Sequence, residues 1–307
     1  MSASIGIVHA AYYLPEPAED VSSWAQRTKQ SVETVKRLEN AGCACSMTRG
    51  DRPRFRSPRM PSNRSLVRPA LLPTRSTFSS TFIRFRGASP HHRYPCRACY
   101  ANTLVSSRRR HSPLHNSIAL HHWARYGSFA RCLPPVRPST AVCWSRRRHA
   151  LASDRSIAGA GLLSDGASAV LVERNASINR LVSLAFHASG EGWRGTLGED
   201  ESRFAAQYFL AARRLATQTS AVANVPLAEI RRILPSHLDL PTWRRTVASL
   251  GLPPRCLFTD NFARVAHVTV SDPFINLVDC DDLVPGKPFL LCARGVGGFS
   301  AAALFVR

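Results

Sequence analysis

Apolar positions alternate or cluster in two parts of the chain and lose all period between them. "SIGIVHAAYYL" (4–14) is a β-rich apolar run ending before Pro15. In "VSSWAQRTKQSVETVKRLENAG" (21–42), Trp24, Val32, Val35 and Leu38 fall near helical spacing, with Gly42 as the stop. Beyond residue 150 the pattern returns. "AGAGLLSDGASAVLVER" (158–174) predicts two short strands around an Asp-Gly turn. In "ESRFAAQYFLAARRLATQTSAVA" (201–223), Phe204, Ala205, Tyr208, Phe209, Ala212 and Leu215 share one helical face. "LPTWRRTVASLG" (240–251) is a short helix stopped by Gly251, and "GKPFLLCARGVGGFSAAALFVR" (286–307) is two apolar strands around a glycine-rich turn. Alternating strands and helices place the chain in the α/β class.

Residues 46–150 do not join that pattern. They hold 21 Arg, no Lys and the single acid Asp51, so they carry +20 of the formal +21. Eleven of the 21 prolines and seven of the 11 histidines lie there too. Such a segment buries too little apolar surface to offset chain entropy, and composition alone reads it as disordered. A net charge of this size normally suggests nucleic acid. Its confinement to one block, without aromatic interleaving or a reading helix, argues against that partner. "CRAC" (Cys96–Cys99), with His91 and His92 upstream, has zinc-knuckle spacing. Cys132 and Cys143, eleven apart, supply no second matched pair, so no metal is expected. Nine cysteines at scattered spacings do not form a disulfide framework. The N-terminus lacks a signal-peptide pattern and no 18-residue apolar run exists, so the expectation is a cytoplasmic protein without a membrane partner.

Candidate chemistry lies in the C-terminal half. His237, in "ILPSHLDLP", follows a short apolar strand and precedes a helix. His267, in "VAHVTVSDPFINL", lies thirty residues later in a similar setting, with Asp272 close behind. Two such histidines suit an oxyanion-binding or proton-handling pair. Taken singly, each is also compatible with a structural role, and Asp272 with a helix cap or turn.

These stretches resemble the β-ketoacyl-acyl carrier protein synthase III branch of the thiolase superfamily. "IGIVHAAYYLPE" is similar to its opening strand and turn, and "LLSDGASAVLVER" to its Gly-Asp-Gly-Ala strand pair, with Ser164 at the first glycine. "LPSHLDLPTWRRTVASLGLPP" resembles the segment of the catalytic histidine, here His237. "VAHVTVSDPFINL" resembles the loop of the catalytic asparagine, with His267 at that position. "LVPGKPFLLCARGVGGFSAAALFVR" resembles the closing glycine-rich strand pair, which makes Gly297 and Gly298 candidates for an oxyanion hole. The resemblance covers about two thirds of the chain. It departs in that Leu238, Asp239 and Leu240 replace the Gln-Ala-Asn after the family's histidine.

The resemblance implies a layered α-β-α-β-α thiolase-like fold with its N-terminal half largely disrupted. Residues 1–45 would begin the N-terminal half, and 151–307 would complete it and supply the C-terminal half. It also implies acyl-coenzyme A or acyl carrier protein thioesters as substrates, no cofactor, a homodimer, and a place in fatty acid or specialised (polyketide) metabolism. The reaction would be a Claisen condensation of an acyl thioester with a malonyl-type thioester, through a Cys-His-His triad. Two alternatives stand beside it. One is acyl transfer to an alcohol or amine, with His237 as the base and Asp272 as the third member orienting it; the other is a basic nucleic-acid-binding protein using 46–150.

The family's nucleophilic cysteine would fall, counting back from Asp165, at residue 118, where "HNSIALHHW" has none. Reading plausible codons for 115–125 two bases later permits "QLNCASSLGAI", with the Cys codon straddling Ile118 and Ala119. The reading is that 46–150 is an out-of-frame translation containing the lost nucleophile region, and that the chain as written is catalytically defective. A genuine basic insertion is the competing account.

Overall fold

Strands β9 (Pro288–Arg294) and β10 (Phe299–Val306) are buried over nearly their whole length on both faces, which is why they read as unbroken apolar runs rather than alternation. The computed structural model describes residues 4–15, 18–47, 54–56, 140–147, 155–157, 161–189, 201–294 and 299–307. All of these belong to one compact unit, Met1–Pro58 with Pro113–Arg307.

The N-terminal elements are β1 (Ile5–Leu14), β2 (Ala18–Asp20), α1 (Val21–Thr28), α2 (Val32–Asn40) and β3 (Cys45–Met47). Then come β4 (Arg54–Arg56), β5 (Thr140–Arg147), β6 (Gly166–Arg174) and β7 (Arg180–Ala188). The C-terminal half supplies α3 (Glu201–Ala223), β8 (Arg232–Leu234), α4 (Leu240–Ser249), α5 (Asp260–Val265) and α6 (Asp272–Asp279) before β9 and β10. The main sheet runs β5-β6-β1-β7-β10-β9-β8, with β4 also on β1; among the described strands only the β8–β9 pair is parallel.

Alternation along β9 and β10 feeds two cores. Leu290, Cys292, Ala302 and Leu304 face Tyr208, Leu215, Trp243 and Val247 from α3 and α4. Phe289, Leu291, Ala293, Ala301, Ala303 and Phe305 face Phe274 and Leu277 from α6 on the other side. The sheet is thus a layer between helices, the layered α/β arrangement that the resemblance implies.

Three expectations change. The stretch 21–42 is two helices, because Lys29 turns left-handed (φ 57°) and Ser31 caps a new helix by accepting from the Thr34 N–H. Before the Asp165-Gly166 turn, Leu162 and Leu163 form only isolated bridges, to Ser156 and His267, rather than a strand. Within 46–150, β4 and β5 join the main sheet, β5 pairing antiparallel with β6 from Thr140↔Glu173 to Arg147↔Gly166. Local β propensity at Val142 and Trp144, together with the unpaired edge of β6, accounts for β5 where mean composition reads disorder. The rest of 46–150 lies outside the described residues.

Candidate active site

Parallel pairing of Leu234 with Leu291 carries the chain out of the sheet edge at Pro235. Two anchors fix the next turn: Ser236 Oγ meets the Tyr208 hydroxyl at 3.0 Å, and Ser236 O accepts from Trp243 Nε1 at 2.9 Å. His237 follows, completely buried. Its backbone N–H donates to Asp272 Oδ2 (2.7 Å) and its Nδ1 donates to the Ala266 carbonyl (2.8 Å). Its Nε2 lies 2.8 Å from Asn276 Oδ1, and the ring packs against Phe262 with centroids 5.1 Å apart.

His267 reaches the same place from another loop. Its backbone is clamped by Leu162–Ser164: His267 N donates to Leu162 O and Ser164 N donates to His267 O, each at 2.9 Å. That clamp is braced by the buried pair of Arg155 with Asp165 (2.7 Å) and by Arg155 bonding to Leu163 O (3.2 Å). Ala266, just before, adopts φ 55°, a region costly for a residue with a Cβ, and so turns its carbonyl onto His237 Nδ1.

Asp272 joins the two histidines. It opens α6, where the helix N-terminus favours a negative charge. Its Oδ2 accepts from His267 Nδ1 at 2.5 Å as well as from the His237 N–H, and its Oδ1 accepts from the Val268 N–H at 2.6 Å. Complete burial alone would raise its pKa. The neighbouring His237 and His267, and the hydrogen bonds it accepts, outweigh that and hold the carboxyl below the ordinary value. The expectation that Asp272 orients the His237 ring is not met. Oδ1 stands 3.6 Å from His237 Nδ1, too far for a hydrogen bond, and that nitrogen is already bonded to Ala266 O. The ring that Asp272 orients is that of His267. His267 Nε2 makes no hydrogen bond to any described residue.

The structure therefore brings His237, His267 and Asp272 together. Gly297 and Gly298 lie outside the described residues, as do Ile118, Ala119 and the Cys96–Cys99 pair. Among the described residues no group of side chains has the make-up of a metal site, and no helix is long and apolar enough to cross a membrane. The five described cysteines offer no ready thiolate. Burial pushes Cys43 and Cys280 up to about 11 and Cys292 up to about 12, and raises Cys45 and Cys256 as well.

Residues beyond the sequence expectation complete the site. Asn276 sits one helical turn after Asp272 on α6, a spacing that puts both on one face. Behind it lie Asn261, Arg264, Asp279 and Tyr12. Asn261 Nδ2 donates to Asn276 Oδ1 (2.9 Å) and Asp279 Oδ2 (3.1 Å), and the Tyr12 hydroxyl meets Asp279 Oδ1 at 2.9 Å. Nothing in residue spacing links Tyr12 or Asn261 to the histidines; only the fold does.

No protein-family model and no curated protein matches the chain. Solved structures do. A structure described as ChlB3, an acyltransferase, superimposes with TM-score 0.63 at 16% identity, over 99% of this chain and 97% of that one. The 3-oxoacyl-(acyl carrier protein) synthase III of Pseudomonas aeruginosa PAO1 gives 0.65 at 14%, over 99% and 98%. A single-residue variant of Xanthomonas campestris OleA gives 0.62 at 13%, over 99% and 98%. At such identities the likeness is one of fold: the chain has the thiolase-type fold of the 3-oxoacyl-acyl carrier protein synthase III proteins and related ketosynthases.

Proposed function

We propose that this site is built for acyl transfer from a coenzyme A or carrier-protein thioester to an alcohol or amine, with His267 as the base. One observation carries the reading: Asp272 grips His267 Nδ1 at 2.5 Å while Nε2 has no described partner. That is the arrangement of a carboxylate-oriented general base. In the reaction, a cysteine thiolate attacks the thioester carbonyl and expels the donor thiolate. His267 Nε2 then takes the proton of the acceptor O–H or N–H as that atom attacks the acyl-enzyme, and the cysteine thiolate leaves. The acyltransferase among the fold's relatives supports the same class.

Decarboxylative condensation is the second reading, favoured by the synthase III neighbours. It needs two donors converging on the thioester oxygen of the malonyl-type substrate. His237 answers that need poorly, since both its ring nitrogens are already bonded to protein oxygens.

The nucleophile is the missing part. We read 46–150 as translated out of frame, with the cysteine codon at the Ile118/Ala119 junction, so that the chain as written does not form an acyl-enzyme. The nucleotide sequence around codons 45 and 150 tests the frame. The function is tested on a frame-restored chain by intact-protein mass spectrometry with a short acyl-coenzyme A, followed by addition of small alcohols, amines or malonyl-coenzyme A. Discharge of the adduct by an alcohol or amine, lost in His267→Gln, is expected. Discharge by malonyl-coenzyme A alone, with release of carbon dioxide, would overturn acyl transfer in favour of condensation.

A further inference from the structure

The bonds around Asn276 fix the direction in which its amide points. Arg264 donates to Asn261 Oδ1 from Nε (3.0 Å) and from a terminal nitrogen (2.6 Å). A guanidinium has no acceptor, so Asn261 must present its oxygen to Arg264 and its NH2 to Asn276 and Asp279. Asn276 must then turn Oδ1 toward Asn261, and its NH2 donates to the Pro235 carbonyl at 2.8 Å. The same Oδ1 is what His237 Nε2 meets at 2.8 Å, so that nitrogen carries a hydrogen. His237 Nδ1 also carries one, because a carbonyl oxygen faces it.

We propose that Asn276, oriented by Asn261 and Arg264, is a positioning residue that keeps His237 donating from both ring nitrogens, so that His237 serves as a fixed donor beside Asp272 and leaves proton acceptance to His267. Asp272 holds the His267 ring and the His237 backbone N–H, so the state of the His237 ring is left to its bonds with Ala266 and Asn276. With both His237 nitrogens engaged as donors, His267 is the ring whose second nitrogen meets no described residue. The chain of bonds ends at the partly exposed Arg264, which also binds Asp279 and the Tyr12 hydroxyl, so the polarity is set from the protein surface inward. The assignment deepens the acyl-transfer reading and rests on it for the meaning of the division of labour. Its test needs no turnover, so the two fail separately.

The test is direct nitrogen-detected NMR of the full chain carrying 15N-labelled histidine, at neutral pH, with the His237 signals identified by their absence in His237→Gln. Both His237 ring nitrogens are expected to appear protonated. Asn276→Leu, which removes the acceptor, is expected to abolish one of these two protonated-nitrogen signals. If Asn276→Leu does not fold, Arg264→Gln frees the Asn261 amide to turn, and a second His237 ring state is expected. An unprotonated His237 nitrogen in the unaltered chain would overturn the proposal. So would an unchanged His237 ring in Asn276→Leu or, where that variant does not fold, in Arg264→Gln.

Discussion

Replacing Asp272 by Asn isolates what the buried carboxylate contributes. In the native chain Oδ2 accepts from the His237 N–H and His267 Nδ1, while Oδ1 accepts from the Val268 N–H. An amide of the same shape can keep only one oxygen. With that oxygen in the Oδ2 place, its NH2 faces the Val268 N–H and leaves one buried donor unsatisfied, costing about 1–3 kcal/mol. The two remaining bonds become neutral, and each loses about 1 kcal/mol of charge assistance. The other orientation orphans two donors and is worse. Asp272→Asn should therefore destabilise by about 3–5 kcal/mol, a large share of a stability of about 5–15 kcal/mol. For a fold of this size that lowers the melting temperature by about 6–20 °C. The pH dependence has a definite sign. The folded carboxyl is held below its ordinary value, so its contribution is complete above the unfolded pKa of about 3.9 and is lost as pH falls through the lower folded value. Thermal melts of both chains between neutral and acid pH should show the gap widest near pH 7 and closing below about pH 4. Equal melting temperatures at pH 7, or a gap that stays constant into acid, would refute the account of Asp272 as an ionised hub.

Other outcomes follow from the same geometry. Cys43, Cys45, Cys256, Cys280 and Cys292 should acquire no acyl adduct from a short acyl-coenzyme A at pH 7, since each has its thiol raised; an adduct mapped by mass spectrometry to one of them would place the nucleophile elsewhere. Gly161→Ala should destabilise by about 1–3 kcal/mol in denaturant titration, because a Cβ there meets Leu238 O at 2.9 Å, Cys43 Sγ at 3.0 Å and His237 O at 3.1 Å. Trp24→Ala, emptying the fully buried centre of the α1–α2 cluster, should cost about 3–5 kcal/mol by the same measurement.

How far the sequence announces this molecule depends on the range of the interactions involved. Strands β9 and β10 are legible because a run buried on both faces needs no partner to declare itself, and the helix over 201–223 because its apolar stripe is long. The break at Lys29 and Ser31 is less legible, since Val32 and Val35 continue the apolar spacing across it while the Ser31 cap, one hydroxyl on one N–H, resets the helix. Strands β4 and β5 are hidden by averaging: a few residues of β propensity disappear in a segment rich in arginine and proline.

The site divides along the same line. His237 and His267 are legible because each sits where a strand or helix ends, a usual place for functional groups. The division of labour proposed for them is not, because it rests on which oxygen faces which nitrogen. Asp272 lies five residues from His267 and thirty-five from His237, and local geometry gives it to the nearer ring. Asn276 carried a usable signal, a lone amide one turn from Asp272 inside an apolar helix, where burial demands partners on both its ends. Following those partners leads through Asn261 to Arg264, and only a cation at the far end removes the ambiguity of two amides in series. The chemistry assigned to the two histidines thus follows from a surface arginine that no motif would have connected to them.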